Sequence, residues 1–300
     1  MLAVGRIIAW LCTPLVVGGL VVSSPALVEK AGMVKRQLTR RSDGVGIGLH
    51  SSPCLAPGQA SEDPSALPCL PEAAAAPLLG SHVLLWHEDG SGPSTALTPA
   101  IDTQVAGSSL LAFSAGYATN TALPTDNKGN TWTALGAPVV YRGYNGQFDV
   151  KAYVVPSAHG GSGHRLSIVK NGEPSGEITV PFIEIRQSGG LHAVAQNYPA
   201  SAALVTSGNV TTSGPATLVA VWWGDAAGLQ HSAIPNNGFS IIENFVSLPP
   251  NSAVQCVVAV RQVSAAGTYN VSWSQSPSEG AILWLLAYQS GDAVYSNGFE

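Results

Sequence analysis

Leu218-Val219-Ala220-Val221-Trp222-Trp223-Gly224-Asp225 is the stretch on which the fold class turns. It is short, rich in β-branched and aromatic residues, and closed by a glycine, so it reads as a strand. Alternate residues on a strand face opposite ways. Leu218, Ala220 and Trp222 therefore share one side, and Val219, Val221 and Trp223 the other. Both sides are apolar, which predicts a central strand covered on both faces. The valines mark the inner face, which assigns Trp223 to the core and Trp222 to the outer side. An outward Trp222 beside Asp225 offers a stacking surface for a sugar ring. Packing against a loop or the other domain is the preferred reading, and the sugar platform is the alternative.

The same segment has a counterpart earlier in the chain. Gly107-Ser108-Ser109-Leu110-Leu111-Ala112-Phe113 matches Gly214 to Val221 with one inserted residue, and Gly116 falls on Gly224. Outward from there the correspondence continues in order. His82 to Leu85 matches His192 to Ala195, Ser94 to Leu97 matches Ser201 to Leu204, and Asp149 to Val154 matches Cys256 to Arg261. Gly163 to Ile168 resembles Thr268 to Trp273, and Val180 to Ile185 resembles Leu283 to Tyr288. Collinear matches whose offset drifts only in Gly/Ser/Pro/Asn segments predict an internal duplication. Residues 80–187 and 188–290 are the expected copies, each of β-sandwich size.

In the first copy, strands are expected near 82–87, 94–98, 101–105, 109–115, 130–135, 137–142, 148–155, 164–170 and 177–186. Pro181 inside the last of these predicts an edge or a bulge. No stretch keeps a helical period. The expected fold is all-β, two tandem sandwiches, jelly-roll-like or immunoglobulin-like. The Cys–Trp–Cys spacing of true immunoglobulin domains is absent, which favours the former.

Composition agrees with exposed Ser/Thr/Asn surfaces. Charged residues are 10% of the 300, and the formal net charge is −5. The basic residues after position 80 (Lys128, Arg142, Lys151, Arg165, Lys170, Arg186 and Arg261) are scattered, so no electrostatic footprint for nucleic acid exists. His159 and His164 flank a glycine-rich connection without a third ligand. No serine-hydrolase elbow, zinc-protease, Walker or dinucleotide motif occurs in a suitable context. Carboxylates are sparse for acid–base catalysis.

Pro124-Thr125-Asp126-Asn127-Lys128-Gly129-Asn130-Thr131-Trp132 suggests a cation loop through Asp126, Asn127 and Asn130, but it fails the EF-hand pattern. The preferred reading is a hairpin turn, with Asp126 capping it and Gly129 at positive φ. This Asp-Asn-x-Gly-Asn-Thr-aromatic turn and the Leu218–Asp225 strand resemble sandwich repeats of exported bacterial proteins. The resemblance covers residues 80–290 and implies fold and location, not chemistry. The end of the chain, Val294-Tyr295-Ser296-Asn297-Gly298-Phe299-Glu300, resembles a Gly-Phe-Glu tail of secreted proteins of some Gram-negative bacteria. Residues 291–300 are assigned to this tail.

Arg6 precedes an apolar run from Ile7 to Val22, and Ser24-Pro25-Ala26 offers small residues at the cleavage positions, so residues 1–26 read as a signal peptide. Lys30, Lys35, Arg36, Arg40 and Arg41 follow the run. Such flanks resist translocation, so an uncleaved anchor or a start at Met33 are the alternatives. Residues 27–79 read as a Pro/Ala/Gly-rich linker, in which Cys54 and Cys69 are a disulfide candidate. Cys256 sits inside an apolar strand and reads as an inert buried thiol.

The functional expectation is a non-catalytic secreted, periplasmic or outer-surface protein working in adhesion, matrix or surface structure. Polysaccharide or a surface protein is the expected partner. No cofactor, no metal, no nucleic acid and no membrane span in the mature chain are expected. The alternative is a carbohydrate-binding protein using Trp222, Trp223 and Asp225. A hydrolase with a site between the domains is a third reading.

Overall fold

A computed structural model describes residues 76–118, 122–143, 146–170, 176–228, 230–250 and 254–290. The apolar N-terminus, the segment with Cys54 and Cys69, and the 291–300 tail lie outside the described residues. In chain order the strands are β1 (Leu78–His87), β2 (Thr95–Leu97), β3 (Ser108–Tyr117), β4 (Thr125–Asp126), β5 (Thr133–Ala134), β6 (Val139–Val140), β7 (Phe148–Ala158), β8 (Leu166–Val169) and β9 (Ile178–Arg186). They continue as β10 (Leu191–Asn197), β11 (Ala202–Thr206), β12 (Val210–Thr212), β13 (Ala216–Gly224), β14 (Ser232–Pro235), β15 (Ser240–Phe245), β16 (Cys256–Val263), β17 (Gly267–Tyr269), β18 (Ser272–Glu279) and β19 (Ala281–Gln289). There is no α-helix among the described residues, and the chain is all-β.

Pairing is antiparallel and nested. In the first half β1 pairs with β9, β2 with β8 and β3 with β7. In the second half β10 pairs with β19, β11 with β18, β12 with β17 and β13 with β16. A long hairpin whose outer arms close over its inner arms, split between a larger and a smaller sheet, is a jelly-roll winding. The large sheets have the orders β1-β9-β3-β7-β5 and β10-β19-β13-β16-β15, with β6 also on β7. The small sheets are β2-β8-β4 in the first half, and β11-β18-β14 and β12-β17 in the second. Strands up to Arg186 pair only with one another, and so do those from Leu191 on. The matched sequence segments lie on strands with the same place in each sheet. The match is shifted by one residue on β7 and β16: Val150 and Cys256, rather than Asp149 and Cys256, face the same core.

Each large sheet is covered on both sides. Leu110, Ala112, Tyr153, Val155 and Phe182 face the first small sheet, whose Leu166 and Ile168 meet them. Leu218, Ala220, Trp222 and Leu283 face the second small sheets, where Val205 of β11, Trp273 of β18 and Val271 between β17 and β18 meet them. The remaining faces of the two large sheets pack on each other. Leu111, Phe113, Val150 and Ile183 of the first meet Val219, Val221, Trp223, Val258, Trp284 and Leu286 of the second. This double burial is why β3, β9, β13 and β19 read as continuous apolar runs rather than alternating ones.

Three local expectations change. Residues 101–105 form only an isolated bridge, Ile101 to His164, while Thr125–Asp126 form a short strand that the sequence did not signal. Pro181 sits on β9, which lies between β1 and β3 rather than at an edge. The ladder to β3 lapses at Val180 and Pro181, between the Ala112–Phe182 and Ala115–Thr179 pairs, as a residue without an N–H requires. The Asp126 turn closes no hairpin, because β4 joins the small sheet through β8 whereas β5 joins the large sheet through β7. It is a corner between sheets.

Candidate functional site

Trp222 and Trp223 are both fully buried. Trp222 enters the core of the second sandwich and Trp223 the core shared by the two large sheets, where it lies against Phe113. The central strand covered on both faces is as expected. The assignment of Trp222 to an outer side is corrected, because the small sheet covers it. Neither ring offers a surface to a sugar. Gly224 admits the Trp222 ring: a Cβ there would lie 2.5 Å from its Cη2 and 2.7 Å from Glu279 Oε2.

Behind Trp222 runs a buried polar chain. Trp222 Nε1 donates to Gln275 Oε1 at 2.6 Å, and Gln275 Nε2 donates to the Glu279 and Ala202 carbonyls. Glu279 accepts from Ala226 N at 2.8 Å and contacts His231 Nδ1 at 2.9 Å. His231 Nε2 lies 2.8 Å from Gln255 Nε2 and 3.1 Å from the Gly228 carbonyl. Burial lowers the His231 pKa, but the Glu279 carboxylate outweighs it and raises the pKa above the usual imidazole value. These groups hold the connection from β13 to β14 against the end of β18. No hydroxyl or thiol nucleophile stands among them.

Asp126 is used up in the same way. Oδ1 accepts from Lys128 N at 2.9 Å and Asn130 N at 3.1 Å, and Oδ2 from Asn130 Nδ2 at 2.9 Å and Trp132 Nε1 at 2.8 Å. His164 Nε2 lies 3.5 Å from Oδ2. Burial alone would raise this carboxyl's pKa, yet the donors from His164, Asn130 and Trp132 hold it well below the usual range. Gly129 has φ +75°, as the turn reading requires. Asn127 Oδ1 accepts from Arg165 N, and Asn130 Oδ1 from His159 N. The oxygens of the cation candidates Asp126, Asn127 and Asn130 are thus engaged with protein donors. Among the described residues no group of three or more His, Cys, Asp or Glu could hold a metal.

Glu184, fully buried on β9, accepts from Gln104 N at 2.6 Å, Ser108 Oγ at 2.7 Å, and Ser81 N and Arg186 Nε at 3.1 Å. Asp149 and Lys151, both buried on β7, pair at 2.5 Å next to Ser114 and Tyr153. Burial raises the Asp149 carboxyl, and the Lys151 ammonium opposes that shift.

The surface features gather at the seam between the two sandwiches. Asp225, expected beside an exposed tryptophan, lies here instead. Its carboxylate accepts from Gly143 N at 3.3 Å and from the Tyr198 hydroxyl. Arg142 stacks on the Tyr198 ring, 4.0 Å from its centroid, and donates to the Tyr198 and Pro199 carbonyls. Burial, with Asp225 beside it, pushes the Tyr198 phenol far above its usual pKa. At one edge of the seam β1 lies over β15. His82 Nδ1 meets Glu243 Oε1 at 2.7 Å, and Trp86 stacks on Phe245. At the opposite edge, where β6 faces β10, a crevice of about 500 Å³ opens between Leu135, Pro138, Val140, Val194, Gln196 and Trp284.

Sequence reasoning did not find the seam. Trp86 and Phe245 are 159 positions apart, and each alone looks like an ordinary strand aromatic. The one available signal was the two-sided apolarity of β13, which requires a cover on both faces. No family model, curated protein or solved structure matches this chain.

Proposed function

We propose that this is a non-catalytic exported protein that works in adhesion, matrix or surface structure, built by duplication of one jelly-roll module. The observation that carries the reading is the use made of buried carboxylates. Asp126 and Glu184 each accept four hydrogen bonds, two of them from backbone N–H groups, and Glu279 holds Ala226 N and His231, so these buried carboxylates serve to stiffen the body rather than to meet a substrate. Low charge and Ser/Thr/Asn-rich surfaces fit a protein displayed outside the cell. Among the described residues no helix is long and apolar enough to cross a membrane. Secretion, the periplasm or the outer surface is the proposed location.

Deleting the gene and measuring cell attachment to surfaces and matrix retention tests the proposal. Cell fractionation of the tagged chain complements it. The expected result is tagged protein outside the cytoplasm and weakened attachment that the wild-type chain restores. A cytoplasmic protein whose loss leaves attachment unchanged would overturn the proposal.

A further inference from the structure

We infer that the β1–β15 edge of the seam is a binding strip for a neutral polysaccharide, with the Trp86 ring as its platform and the His82–Glu243 pair as its hydroxyl-binding end. The inference rests on the surface-adhesion proposal and names what the surface would hold.

The geometry begins with the alternation of β1. Val83 and Leu85 turn into the first sandwich's own core, and Leu84 turns to the shared core. Trp86 lies on the Leu84 side at the edge of the second sheet, where Phe245 of β15 covers part of its ring, and is 41% exposed. Every other tryptophan among the described residues is 4% exposed or less, so Trp86 alone presents a ring to solvent. It is fixed before any ligand arrives, stacked on Phe245 with centroids 4.6 Å apart and planes 13° from parallel. A preorganised ring loses little side-chain entropy on binding. A pyranose presents C–H groups on one face, which pack on an aromatic ring, and hydroxyls around its rim, which seek donors and acceptors.

The polar end is at the right spacing. Glu243 and Phe245 are two residues apart on β15, and so about 7 Å apart on one side of the strand, close to the length of one sugar unit. Glu243 and His82 meet through one oxygen and one nitrogen at 2.7 Å, and both side chains remain partly exposed. The second Glu243 oxygen and His82 Nε2 make no hydrogen bond to other described residues, and so can engage vicinal hydroxyls. None of the four residues named for the strip is a Lys or Arg, and the Glu243 carboxylate would repel uronic acids or sulfated sugars, which selects a neutral glycan. The strip runs along the edge strands β1 and β15, which suits the side of a long chain rather than its end.

The test uses the full-length mature chain, with insoluble cellulose and chitin for retention and cellohexaose and chitohexaose for fluorescence titration. The wild type should be retained on at least one of the two solids. Trp86→Ala should reduce retention about tenfold or more at an unchanged urea midpoint, and Glu243→Gln should weaken it less. If Trp86→Ala fails to fold, Trp86→Phe, which preserves the stack on Phe245, must show the reduction instead. Absence of wild-type retention on both solids overturns the inference. So does full retention of the Trp86 variants, or a dimer that hides Trp86 and dissociates on its substitution. Cells that still attach through a protein unable to bind either glycan would sink this inference while leaving the adhesion proposal standing.

Discussion

At the residue scale, the tryptophan pair shows what alternation decides and what it leaves open. Adjacent positions on a strand guarantee that Trp222 and Trp223 enter different cores, and their neighbours guarantee that both cores are apolar. Which core belongs to the sandwich and which to the seam was not legible, since Leu218 and Ala220 are no less apolar than Val219 and Val221. The β-branched valines proved to face the other sandwich. Because both rings are fully buried, Trp222→Ala and Trp223→Ala should each cost about 3–5 kcal/mol through the cavity left. Trp222→Ala also strands Gln275 Oε1, which adds about 1–3 kcal/mol if no water replaces the indole. Urea denaturation of the two variants checks this. A loss under 1 kcal/mol for either would mean that its ring is not enclosed as described.

At the scale of elements, most of the longer strands were readable and the corners were not. β3, β9, β13 and β19 are largely apolar runs, which is what a doubly covered strand looks like in sequence, while β1, β7 and β16 were marked by length and by Gly/Pro/Asn punctuation. β4, β5 and β6 are two residues each, too short to carry a period, so their sheet membership was invisible. The Asp126 turn was recognised by its residue types, yet a turn sequence does not say whether the strands it joins pair with each other. Here they part, and Asp126 holds the corner. Its carboxylate is lowered in the folded state, so its contribution to stability is present above the unfolded value near pH 4. That contribution is lost as the pH falls further, through the folded pKa. Asp126→Asn should cost about 1.5–3 kcal/mol at pH 7, the scale of hydrogen bonds to a charged group. The gap from wild type should narrow as the pH falls below about 4. Thermal melts of both proteins from pH 7 to pH 2 decide it, and a gap that stays constant would show that the charge on Asp126 contributes nothing.

At the scale of the whole molecule, the sequence repeat led to the expectation of two halves, and the strands fall into two sheet systems of like order, but the repeat did not say how the large sheets meet. An isolated sandwich would leave one face of its large sheet in water, and that face would read as polar. Val219, Val221, Trp223, Val258, Ile282, Trp284 and Leu286 are on that face of the second half, and Leu111, Phe113, Val150 and Ile183 on that of the first. Neither half can expose such a surface cheaply, at roughly 25 cal/mol for each Å² of apolar area. Polar ties cross the same seam, from Thr179 Oγ1 to the Val254 carbonyl at 2.7 Å and from Gly143 N to Asp225. The central claim is therefore that two jelly rolls form one cooperative body around a shared middle core. Peptide-resolved hydrogen exchange across a urea series tests it most directly. The account predicts that β3 and β9 of the first half and β13 and β19 of the second share one highest protection and lose it with the same dependence on urea. Two separate limits, with one half opening fully while the other stays protected, would contradict it.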